Sequence, residues 1–143
     1  MKKSILTLAA FFMILTSFAA GPSEVVLKKF NATFNNPAEV TWYDTQDFHQ
    51  AYFVQSGIST RVKYDKKGNF LSAIRYYEEQ NLPIHIVNQL KKNYSKLKIY
   101  GVTEVTTGET VNYFVNLEDE KSWTLVQVLV TGEMTTLKKY KKA

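Results

Sequence analysis

The chain contains no cysteine among its 143 residues. That excludes a disulfide framework, a thiolate metal site and a cysteine nucleophile. It also excludes lipid attachment through an N-terminal cysteine, and it leaves stability to an apolar core. Histidine is nearly absent too. His49 and His85 lie far apart with no HxH or HExxH spacing, so both read as surface or rim side chains rather than ligands. No G-x-S-x-G serine turn and no glycine-rich phosphate loop occurs. The acidic runs Glu78-Glu79 and Glu118-Asp119-Glu120 lack the alternating oxygens and central glycine of a calcium loop, so they read as solvated charge. No pair of carboxylates stands out as a glycosidase pair. Two glycosylation-like triplets, at Asn31 and Asn93, fall on expected helices and read as chance matches. These absences predict no catalytic residues, no bound metal and no cofactor.

Long apolar runs are also missing, save one at the start. Met1-Lys2-Lys3 precedes an apolar stretch over residues 5–15, followed by Ser17-Phe18-Ala19-Ala20 and Gly21-Pro22. A short charged segment, an apolar run and small residues spell a cleaved export signal. The run is shorter than the roughly 20 residues a membrane span needs. Cleavage after Ala19 fits the small-residue rule, while cleavage after Ala20 places Phe18 at the third position back. We assign residues 1–20 to a signal peptide and 21–143 to one mature domain, periplasmic or secreted. Without Lys2 and Lys3, the 18 basic side chains become 16 against 13 acidic ones, so the mature charge is about +3. A mild charge on an exported chain argues against nucleic acid as the partner. The terminal Lys138-Lys139-Tyr140-Lys141-Lys142 run reads as a solvated tail.

What remains is amphipathic pattern. Ser23 suits a helix N-cap, and Val26, Phe30 and Phe34 recur every fourth residue up to Asn35-Asn36-Pro37. Strand-forming segments follow at 40–43, 48–55, 60–64 and 70–77, with Gly68 in the turn between the last two. Leu82-Pro83 then opens a second helix with Ile86, Leu90 and Tyr94 at the same spacing. Four more strands are expected at 97–105, 110–117, 123–131 and 134–139, with Gly132 in the final turn. A shift of 60 carries Val26, Phe30 and Phe34 onto Ile86, Leu90 and Tyr94. The expected fold is therefore α+β, built as two tandem units of one helix plus about four antiparallel strands, units of about 21–80 and 81–143. Two arrangements satisfy it. The sheets join edge to edge with both helices on one face, or they pack face to face; we favour the open sheet.

Several of these segments resemble a known family. Val40-Thr41-Trp42, Gln50-Ala51-Tyr52-Phe53, Tyr64-Asp65-Lys66-Lys67-Gly68, Leu82-Pro83 and the Trp123 strand with its Gly132 turn look like PepSY-like proteins. Those are described as similar to the β-lactamase inhibitor protein and are common among exported proteins of Bacteroidetes. The resemblance spans about residues 21–143. It implies a tandem helix-plus-sheet fold, export and no known reaction. No inhibitor contact residue maps onto this chain.

The positive functional signal is aromatic. Val126, Val128 and Val130 take one face of their strand and Trp123, Leu125 and Leu129 the other, so both faces are apolar. Either the strand is buried on both sides, or Trp123, Leu125 and Phe114 expose an apolar patch. Tyr43, Tyr52, Arg61, Lys63 and Arg75 are expected to share the face opposite Trp42 and Phe53, a composition suited to protein contacts. The sequence thus points to a non-catalytic module that captures a periplasmic or extracellular protein or peptide on an open sheet face, acting as an inhibitor or modulator of an envelope enzyme. The alternative is a small-ligand sensor or carrier with a cleft between the two units. An enzyme with an acidic pair ranks below both.

Overall fold

A computed structural model describes residues 21–143; the signal-peptide reading of residues 1–20 lies outside the described residues. Helix α1 (Glu24–Phe34) begins where expected, with Ser23 Oγ accepting a hydrogen bond from the Val26 amide at 3.4 Å. It ends at Asn35, whose φ of 53° is left-handed and whose amide bonds back to the Asn31 carbonyl. Helix α2 (Ile84–Asn93) follows a 3-10 turn at Glu79–Asn81, and Pro83 is its cap residue rather than its first helical one. The strands are β1 (Val40–Asp44), β2 (Phe48–Gln55), β3 (Ile58–Asp65), β4 (Phe70–Tyr77), β5 (Lys98–Thr107), β6 (Thr110–Glu118), β7 (Ser122–Leu129) and β8 (Met134–Lys141).

All eight strands form one antiparallel sheet in the order β1 to β8. This corrects the expected fold class. The chain is not divided into two tandem helix-plus-strand units. β4 and β5 pair over Ser72–Tyr77, with Arg75 opposite Glu104 and Tyr77 opposite Val102, so the sheet runs through the supposed boundary without a break. The strands join edge to edge in one open sheet rather than packing face to face, because two separate sheets would each leave a long unpaired edge at β4 and β5.

Both helices seat on the face carrying Phe53, Val62, Ala73, Val102, Val115 and Val126, here called the inner face. Two clusters form there. Val26 and Phe30 of α1 pack with Ala51, Phe53, Val62, Tyr64 and Ala73. Ile86, Val87 and Leu90 of α2 pack with Tyr77, Val102, Val115, Leu117, Val126 and Val128. Strand β4 serves both, through Ala73 and Tyr77. Each helix also rests on a hairpin glycine with positive φ. A Cβ at Gly68 would lie 3.0 Å from Val25 Cγ1, and one at Gly132 would lie 2.3 Å from Gln89 Oε1. Glycine is required at both places by conformation and by space.

Three local readings are also corrected. His49 is not a rim side chain. It is 5% exposed on the inner face, opposite Asp44, with Nδ1 2.8 Å from Asp44 Oδ1. Strict alternation along β2 puts residues 49, 51 and 53 inward, and burial follows. The lysine-rich end is not a loose tail, because β8 runs to Lys141 and pairs with β7. Lysines along an edge strand discourage pairing with a further chain. Arg75 faces inward with Thr60 and Glu104 rather than outward.

Candidate functional site

The face away from the helices carries the odd-numbered side chains of β3, β7 and the part of β5 beyond its bulge at 99–101, and the even-numbered ones of β2 and β6. Antiparallel partners share a face, so the register settles each expected site residue. Tyr43 pairs with Gln50, Tyr52 with Arg61, and Gln50 with Lys63, all on this outer face. Phe114, Trp123 and Leu125 lie on it too, from β6 and β7. Arg75 does not. It sits opposite Thr60 and Glu104 on the inner face. The cause is a bulge. Tyr64 pairs with Phe70 but Lys63 pairs with Ser72, so Leu71 is the extra residue and the alternation flips across it.

Arg75 instead belongs to a seam on the two central strands. Its Nη1 donates to Glu104 Oε1 at 3.0 Å, and its guanidinium stacks 5.5 Å from the Tyr77 ring centroid. Tyr77 donates its hydroxyl to Glu104 Oε2 at 2.6 Å. Burial, and then the Glu104 carboxylate, push the Tyr77 phenol above its ordinary pKa. The carboxylate is thus neutralised and bonded on both oxygens, which is what a mostly buried charge requires. The chain's own side chains occupy this part of the inner face.

On the outer face the middle mixes apolar side chains with Thr103, Asn112, Asn116 and Gln127. Ile74 faces Val105, and Phe114, Leu125 and Leu129 continue the band with half-buried side chains. Asn112 and Gln127 satisfy each other within it, at 3.1 Å. Aromatic rings stand toward its sides. Tyr43, Tyr76, Tyr100 and Tyr140 are 54%, 40%, 61% and 43% exposed. Three cations lean on rings there. Arg61 lies 5.8 Å from the Tyr52 centroid, Lys63 4.6 Å from Phe48 and Lys138 5.5 Å from Tyr140. None of the three has a carboxylate within ion-pair distance among the described residues.

The flank nearest Trp123 was not legible beforehand as a cluster. Tyr100, in a bulge of β5, sets its ring against Trp123 with centroids 4.7 Å apart at 77°. Lys142 Nζ lies 4.4 Å from the Trp123 centroid and 2.6 Å from Glu118 Oε2. Asp119 closes the β6–β7 turn by accepting from the Lys121 and Ser122 amides, which with the Ser122 hydroxyl holds its carboxyl below the usual pKa. Among the described residues no group of acidic or histidine side chains is arranged to hold a metal ion.

The fold occurs in solved structures of Bacteroides proteins. A BLIP-like protein from Bacteroides fragilis superposes with a TM-score of 0.60 at 16% identity, covering 84% of this chain and 86% of that one. A DUF2874 family protein from Bacteroides ovatus gives 0.60 at 15% identity, covering 84% and 87%. A protein from Bacteroides eggerthii provisionally assigned to the periplasm gives 0.58 at 17% identity, covering 83% and 88%. This chain has a BLIP-like fold. Identities this low carry the fold alone. No protein-family profile matches the chain, and no curated protein matches it. Among the described residues no helix is long and apolar enough to cross a membrane.

Proposed function

We propose that the mature protein is an exported, non-catalytic binding module of PepSY-like type, and that it captures a protein or peptide on the outer face of its BLIP-like sheet. One observation carries this reading: helices cover the inner face, while the outer face presents an uncovered band of apolar and neutral polar side chains bordered by exposed tyrosines and by cations lacking acidic partners among the described residues. Eight strands at roughly 4.8 Å spacing and about 3.3 Å per residue make a face on the order of 900 Å². That matches the roughly 800 Å² each partner contributes to a standard protein interface. Arg61, Lys63 and Lys138 favour a partner with an apolar centre and an acidic border. Tyrosine and arginine at such a border are frequent anchors of binding energy. Capture of this kind on an envelope enzyme would restrain it. A periplasmic address is supported by the provisional assignment of one neighbour and by the start of the chain.

The test is capture from the host's periplasmic extract by the mature chain beginning at Gly21. Outer-face variants Tyr52→Ala, Phe114→Ser and Leu125→Ser run beside a control, Lys92→Ala, on the exposed side of α2. A stoichiometric partner lost with the outer-face variants and kept with the control is the expected outcome. A partner retained by every folded variant, or no partner at all, refutes the proposal.

A further inference from the structure

On the outer face Lys142 alone, among the described residues, combines a ring beneath its ammonium with a carboxylate beside it. Its Nζ stands 4.4 Å from the Trp123 centroid and 2.6 Å from Glu118 Oε2. Tyr100 packs against Trp123 in a T-shaped pair with centroids 4.7 Å apart. Trp123, Glu118 and Tyr100 come from paired strands. Trp123 on β7 lies opposite Glu118 on β6, and Tyr100 projects from the β5 bulge between Ile99 and Gly101. The ammonium, in contrast, comes from the penultimate residue, one position after β8 ends, held by its amide donating to the Lys121 carbonyl at 2.8 Å. A ring face, a second ring and a carboxylate are the chemistry that recognises an alkylammonium ion. We propose that Trp123, Tyr100 and Glu118 form a binding site for a lysine side chain, filled in the isolated chain by its own Lys142.

The occupant has room to leave. Glu118 and Lys142 border an open cavity of about 540 Å³, which Lys98 and Glu120 also line. Lys142 is tethered beside the site, so it competes at a high effective concentration and an incoming lysine binds only to the open fraction. A lysine on another chain gains the site when the tail is displaced or trimmed. This site rests on the contacts of Lys142 and stands independently of any protein docking across the sheet.

The probe is N-acetyl-lysine methylamide, with the uncharged N-acetyl-norleucine methylamide, one heavy atom shorter, as control. The signal is the Trp123 indole N–H in a proton–nitrogen NMR spectrum, and the indole of Trp42, on the inner face, is the internal reference. Lys142→Ala changes one end-of-chain side chain and keeps the fold. In that variant the lysine probe shifts the Trp123 signal saturably, with an apparent Kd of about 30–300 mM, as one exposed cation–ring contact plus one ion pair allows. The native chain binds it more weakly because Lys142 already occupies the ring and the carboxylate. The norleucine probe shifts nothing, and adding Glu118→Gln to Lys142→Ala weakens the lysine response. No saturable shift in Lys142→Ala overturns the proposal. So does equal binding by the native chain, or an equal response to norleucine.

Discussion

Replacing Phe30 by alanine probes the core and the continuity of the sheet together. Phe30 is 1% exposed, and its ring meets Phe34, Trp42 and Phe53 at centroid separations of 5.2, 5.1 and 5.3 Å. Truncating a buried phenylalanine costs about 3–5 kcal/mol. Ring pairs of this geometry add about 0.5–1.5 kcal/mol each beyond area, which places Phe30→Ala in the upper half of that range. With a urea slope of about 1.5–2 kcal/mol/M for a domain of this size, the unfolding midpoint falls by about 2–3 M. The destabilisation should be felt everywhere. Ala73 belongs to the α1 core and Tyr77, on the same strand, to the α2 core. The two tryptophans report on the two halves, Trp42 beside Phe30 and Trp123 on β7. Urea unfolding followed by fluorescence in Trp123→Phe and Trp42→Phe backgrounds, each with and without Phe30→Ala, should show equal falls in midpoint. If the Trp123 transition keeps its midpoint while the Trp42 transition moves, the halves unfold separately and the reasoning from one sheet fails.

Two pH-dependent outcomes follow from named contacts. Asp65 accepts hydrogen bonds from the Lys67 and Asn69 amides and the Asn69 side chain, each at 2.8 Å, and the Asn69 amide chiefly holds its carboxyl below the ordinary 3.8. A lowered folded value means its stabilisation is present above the unfolded value and is lost as pH falls through the folded one. Asp65→Asn should therefore flatten the acid limb of stability below about pH 4, measured by urea midpoints across pH; an unchanged limb removes Asp65 from the account. Tyr77 has the opposite sign in pH, because burial and then Glu104 raise its pKa above the ordinary 10.0. Its stabilisation is present below that value and is lost as pH rises through the folded one. Tyr77→Phe should cost about 2 kcal/mol near neutrality by removing a hydrogen bond to a charged acceptor. It should also flatten the alkaline decline. An equal alkaline decline in both proteins would count against the phenol as its source.

The sequence alone determined the local elements. The four-residue spacing of Val26, Phe30 and Phe34, and of Ile86 and Leu90, is a helix face wherever the chain goes, because 3.6 residues per turn bring those side chains together. Gly68 and Gly132 marked their turns because backbone with positive φ disfavours a Cβ. Trp123 and Leu125 alternate with Val126 and Val128 by the same local geometry of a strand, so the two apolar faces of β7 were legible from the residue order. Tertiary structure decided what depends on pairing between distant segments. That β4 meets β5 and makes one sheet is a choice between strands separated by α2, and no local period encodes it. The face of Arg75 turned on a bulge at Leu71, where a single extra residue reverses every later side chain. His49 went inward because its strand had a core to face. Lys142 reached Trp123 and Glu118 because β8 paired with β7, which carried a residue 24 positions from Glu118 to within 2.6 Å of it. Periodicity is written within one segment, whereas register is settled by which partners bury the most apolar surface and leave the fewest edges unpaired.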